Sequence, residues 1–147
     1  MNTRETTSGS SKPLGIVISA AIASGLSFFA LDLVWLGIIA QPIYAKYMGD
    51  LLTKSTVWSA ALMFYVMYIG AIQVHAIWPS SDLKTAAKRG AGMGFFGYAT
   101  YELTNWAVIT DWPSALVPID IVWGVILTAS CAAAGFLVKD RLLRRRT

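Results

Sequence analysis

Polar and apolar residues fall in long blocks along this chain rather than alternating. A polar opening, MNTRETTSGSSKP over 1–13, lacks apolar periodicity and reads as a disordered tail. Four apolar runs follow, at about 14–40, 56–78, 91–109 and 114–138. Each is near or above the roughly 20 residues needed to cross about 30 Å of hydrocarbon at about 1.5 Å per residue. The pattern predicts an all-α polytopic membrane protein, with four transmembrane helices in an antiparallel bundle over 14–138 and a basic tail over 139–147. The first run is too long for a cleaved signal peptide and has no polar cleavage region, so it reads as a retained helix.

Composition agrees with the block pattern. Only 14% of the 147 residues are charged and 56% are hydrophobic, against about 25% charged in a typical soluble domain. In water such a chain could not cover its apolar side chains, so the bilayer is its natural solvent. A single cysteine, Cys131, excludes an internal disulfide and any Cys-based metal cluster; the lone His75 excludes multi-histidine sites made within one chain.

The basic residues flank the apolar runs and so report topology. With the N-terminus inside, Arg4, Lys12, Lys84, Lys88, Arg89, Lys139, Arg141, Arg144, Arg145 and Arg146 are cytoplasmic, ten of twelve, leaving Lys46 and Lys54 outside. Both termini are therefore expected on the cytoplasmic side. The last five form a contact for anionic lipid. Despite a pI of about 9.4, this arrangement gives no nucleic-acid patch.

The loops carry less. The 41–55 segment opens on Gln-Pro and reads as an outer loop in which Tyr44, Tyr47, Leu51 and Leu52 can lie along the membrane as a short amphipathic helix. The 79–90 segment reads as a polar connector. The tryptophans Trp58, Trp78, Trp106 and Trp112 fall where aromatic belts lie.

Three carboxylates stand inside the apolar runs, and an isolated intramembrane charge costs at least about 2.5–3.5 kcal/mol. Asp32 lies in LDLVWLGII and Asp120 in IDIVWGVIL, two segments that share Asp-x-Val-Trp; Glu102 lies in GYATYELTNWAVI. Counting from the outer ends of their helices puts all three about 10–12 Å deep. They are therefore expected to line one polar pocket, as acid–base groups or ion ligands. Helical spacing adds Tyr98 and Asn105 beside Glu102, Trp35 and Trp123 one turn from the aspartates, Tyr65 from the second helix and Thr128 from the fourth. No cofactor motif is evident; two or more of the acids suit a monovalent or divalent cation. A plainer reading stands beside this one. Pro118 can open the fourth helix and leave Asp120 in its first turn, Asp32 can lie near the headgroups, and Glu102 can serve as an interhelical hydrogen-bond acceptor.

At DLVWLG, GYATYELTNWA and DWPSALVPIDIVWG the chain resembles a bacterial family, domain of unknown function 2177, over essentially Leu14 to Val138. The resemblance implies a four-helix inner-membrane protein. It implies no activity, and Glu102 stands where the family often has Asp. Genes for lipid-modifying enzymes near family members lean the expectation towards membrane lipid or isoprenoid metabolism, with membrane lipids as partners. The alternatives are a small proton- or cation-coupled transporter, which would need a homodimer to build a pathway, and a non-catalytic membrane scaffold. No nucleophile or phosphate loop accompanies the acids.

Overall fold

The computed structural model describes residues 14–49 and 55–145. The expected tail (1–13), Leu51, Leu52, Lys54 and Arg146 lie outside the described residues. The described residues form four helical stretches: Leu14–Met48 and Trp58–Ile77, then Leu83–Val108 and Leu116–Arg144. The described residues contain no strand. The first, second and fourth helices are long and apolar enough to cross a membrane. The third is as long but more polar, because Lys84, Lys88 and Arg89 occupy its first turns.

Contacts between helices establish an antiparallel up-and-down order. Helix four meets helix one from Gly135 against Ala20 and Ser24 to Asp120 against Tyr44. It meets helix three from Gly90 against Ala132 to Gly124 against Tyr98. Helix two runs back along helix one, with Gln73 bonded to Ser24 and Tyr65 to Asp32. We call the end holding residues 14, 144 and the 78–82 turn the terminal end, and the other the distal end.

The bundle is apolar outside and small or polar within. Along helix one Ile16, Ala20, Ser24 and Phe28 are buried, whereas Leu14, Ile18, Ile22, Leu26, Phe29 and Leu33 are exposed. In a bilayer, where lipid tails are as apolar as leucine, helices associate through close packing and hydrogen bonds between small residues rather than by hiding leucines. Gly90, Gly94, Gly124 and Gly135 provide that approach: a Cβ on any of them would collide with the neighbouring helix.

Two helices run past their expected ends, and one begins early. Helix one continues through Gln41-Pro42 to Met48 instead of stopping near residue 40. Pro42 lacks an N–H and its ring crowds the carbonyl four residues back. Immediately before it, Trp35–Ile39 forms a π-helical turn in which the Ala40 N–H bonds to Trp35 O, and this wider turn absorbs the proline. Helix four continues through the expected basic tail to Arg144, with Arg144 paired to Asp140 at 2.8 Å.

Helix three starts at Leu83, so residues 83–90 of the expected connector are its first two turns. Asp82 caps it, accepting from the Thr85 N–H at 2.8 Å and the Thr85 hydroxyl at 2.7 Å. Those bonds, the hydroxyl first, hold the Asp82 carboxyl below its ordinary value of 3.8. Because the folded-state value is depressed, the cap's contribution is present above the ordinary value and is lost as pH falls through the lowered one. The protection factor of the Thr85 amide is expected to drop on acidification below about pH 4, and Asp82→Ala should remove that pH dependence. An unchanged profile in the variant would assign the titration to another group.

Candidate functional site: a carboxyl layer at the distal end

Each of the three acids takes a hydrogen bond from an aromatic side chain on a different element. Tyr65 on helix two donates to Asp32 at 3.1 Å. Tyr44, beyond the proline of helix one, donates to Asp120 at 2.8 Å. Trp112, in the connector before helix four, donates its indole N–H to Glu102 at 3.0 Å. These donors offset part of the cost of holding carboxyl groups away from water.

The chain reaches these positions for local reasons. Trp35 and Tyr44 are nine residues apart, roughly 13 Å of helix, yet their partners Trp123 and Asp120 are three residues apart, roughly 4.5 Å. Helical side chains lean towards their own N-terminus, so the Tyr44 phenol reaches back towards Asp120. In the connector Asp111 adopts a left-handed conformation, φ 60°, which Asp tolerates better than most residues. That turn folds Trp112 back beneath helix three, where its ring meets Tyr101 edge-on at 5.9 Å and its nitrogen meets Glu102.

Glu102 and Asp120 converge. Glu102 is 1% exposed and Asp120 7%, and their carboxyl groups lie within hydrogen-bonding reach of each other. Two carboxyls approach this closely when a proton or a cation lies between them. Asp32 is held apart from this pair, bonded to Tyr65 on helix two. Tyr98 spans the gap, within electrostatic reach of Asp32, Asp120, Tyr44 and Tyr68. Trp35 and Trp123 stack at 4.5 Å and 7° beside it; the buried Trp123 N–H makes no well-formed hydrogen bond, and Asp32 is the polar group it faces.

Two of the residues picked out by helical spacing lie away from the carboxyls. Thr128 sits two turns below Asp120 and pairs with the Tyr68 hydroxyl at 2.8 Å. Asn105 turns to Tyr101, and its carbonyl ends helix three by accepting from Ile109 at 2.8 Å. Conversely, Tyr44 and Trp112 are central although sequence reading assigned them to a surface loop and an aromatic belt. Pro42 hid the first. For the second the only signal was its place in the turn that returns the chain to the bundle.

Among the described residues no basic side chain acts on any of the three acids, and no three His, Cys, Asp or Glu are grouped as a metal ion would need. The arrangement defines a helical membrane protein with an internal carboxyl layer. The family model DUF2177, a predicted membrane protein, matches residues 17–137, and the chain belongs to that family. No curated protein and no solved structure matches it.

Proposed function

We propose that this is a four-span bacterial inner-membrane protein, both termini cytoplasmic, whose carboxyl layer lies under the outer face and handles a membrane lipid that enters from the side. The orientation rests on the Lys and Arg distribution, ten against two. At the cytoplasmic end a concavity formed by Leu137, Asp140, Arg141, Arg144 and Arg145 suits an anionic headgroup.

One observation carries the lipid reading: at Asp32 the layer opens laterally. Asp32 and Tyr65 line a cleft of about 280 Å³ with Phe29, Leu33, Leu36 and Gly37, between helices one and two and facing the acyl chains. On the terminal side of the acids, helices three and four are in backbone contact at Gly94–Gly124 and Gly90–Thr128. Asp32 is the acid this cleft exposes, and a carboxyl group that exchanges a proton with a lipid hydroxyl is suited to general acid–base work. Helices two and one supply Tyr65 and Tyr44 to orient the acids.

The expected result is that a Glu102→Gln strain shows the same altered membrane lipid profile as a deletion strain, with the protein folded and at normal abundance. Wild-type lipids in both strains would overturn the reading. Proton or cation flux in proteoliposomes, abolished by Glu102→Gln, would replace it with transport.

A further inference from the structure

The cleft that exposes Asp32 is not lined by the other two acids. Glu102 and Asp120 are buried, at 1% and 7% exposure, so a group that reacts with them needs a way in. Two aromatic side chains from the distal end hold the pair, Trp112 on Glu102 and Tyr44 on Asp120. Trp112 sits in a short connector fixed at both ends, by helix three at Val108 and by helix four at Leu116. Tyr44 is carried differently.

It lies on Ala40–Met48, the part of helix one beyond the π turn. In that segment Ala40 is buried, whereas Gln41, Pro42, Ala45, Lys46 and Tyr47 are exposed. Tyr44 ties it to helix four through the 2.8 Å bond to Asp120. The backbone that carries the segment is weakest where it begins. In Trp35–Ile39 the ladder is already wider than regular, with the Ala40 N–H on Trp35 O, and Pro42 has no N–H to restore it. Nothing lies within 4 Å of a Cβ placed on Gly37, inside the turn, so the turn has room to change its angle. Helices kink at prolines and π turns, and a hinge is a few residues that absorb a change in backbone angle.

We infer that Ala40–Met48 is a lid over the Glu102–Asp120 pair, hinged at Trp35–Ile39 and latched by the Tyr44 phenol. This rests on the lipid reading of the carboxyl layer and says how a reacting group gains the buried pair. Swinging the lid away parts the distal end of helix one from helix four and uncovers Asp120 to the membrane. The latch is made to one of the reacting acids. A ligand hydroxyl that donates to Asp120 takes the place of the phenol, so the hydrogen bond lost on opening is returned by the ligand.

The test uses the full-length protein in nanodiscs and dicyclohexylcarbodiimide, an apolar reagent for carboxyl groups, with the labelled residues located by mass spectrometry. Tyr44→Phe removes only the latching oxygen and should raise the rate of Glu102 labelling about ten-fold, the scale of losing one hydrogen bond to a carboxyl group. Asp32 already lines an open cleft, and its labelling should not change. A second measurement follows the lid itself. Spin labels at Lys46→Cys and Val108→Cys, both exposed positions, in a Cys131→Ala background, should report a longer distance when Tyr44→Phe is added. Unchanged Glu102 labelling would overturn the inference, and so would equal acceleration at Asp32, which would mean general loosening. Faster Glu102 labelling at an unchanged spin-label distance would also overturn it, because the phenol alone would then be the shield. A moving lid together with unaltered lipids in the Glu102→Gln strain would leave the lid standing and remove only the lipid reading; altered lipids with an immobile Ala40–Met48 would do the reverse.

Discussion

Gly94→Ala should destabilise the bundle by about 1–3 kcal/mol, the usual cost of overpacking a close contact, and pull the carboxyl pair apart. A Cβ at this position would run into the Gly124 carbonyl, and it would stand 2.7 Å from Thr128 Oγ1. The first of these is backbone in the middle of helix four, so no rotamer change can clear it. The two helices must separate or slide. Two turns above Gly94 lies Glu102, and one turn from Gly124 lies Asp120, so separation here opens the contact between the acids. Gly92→Ala is the control: nothing lies within 4 Å of its Cβ position, and replacing a mid-helix glycine there should be neutral or stabilising by up to about 1 kcal/mol. Denaturant titration of both variants in mixed micelles reads the difference. Equal midpoints for the two would mean that the helix three–helix four seam is looser than its glycines imply.

That seam was partly legible in the sequence. Gly90, Gly94, Tyr98 and Glu102 recur at four-residue spacing, and so do Asp120, Gly124 and Thr128, which is enough to predict two faces that meet. Helical spacing cannot say which residue of one face meets which of the other. It therefore grouped Thr128 with the acids, although Thr128 belongs to a layer two turns lower with Tyr68. Depth counting assumed straight helices that end where the apolar runs end, and two of the helices depart from that. Helix one passes its run by way of a π turn and a proline, and helix three begins eight residues before its run, at a cap made by Asp82. Local capping and a widened turn override composition in both cases. The aromatic donors escaped for a related reason: each lies outside the apolar run that holds its acid, and only tertiary structure brings Tyr44 and Trp112 to Asp120 and Glu102.

Lys139 is where sequence and structure differ most, and it sets the second large effect. Counted with the basic tail, it is 6% exposed, and its ammonium donates to Ile77 O and Ser80 O, both at 2.9 Å. Its charge sits at the C-terminal end of helix two, where carbonyl dipoles favour a cation. It also lies 4.6 Å from the Phe136 ring and 5.5 Å from that of Trp78. Ser80 completes the cap with a 2.6 Å bond to Ala76 O. Helix two depends on this end, because its π turn, Gln73–Ile77, carries most of its packing against helices three and four, whereas Trp58, Leu62, Met63, Val66 and Met67 are exposed. Lys139→Met keeps the apolar stem and removes only the ammonium. Losing two charge-assisted bonds to carbonyls, not fully additive, should cost about 2–4 kcal/mol. Lys139→Arg should recover only part of that, since a planar fork replaces a compact ammonium held between two carbonyls and two rings. The loss should be local before it is global: hydrogen exchange of the amides over 72–80 should accelerate in Lys139→Met while those of Gly90–Tyr98 stay protected. Uniform acceleration along all four helices would mean that the ammonium supports the whole bundle rather than anchoring helix two. Unchanged exchange and an unchanged denaturation midpoint would show that the anchor contributes nothing, and helix two would then owe its position to the tyrosine contacts at Tyr65 and Tyr68.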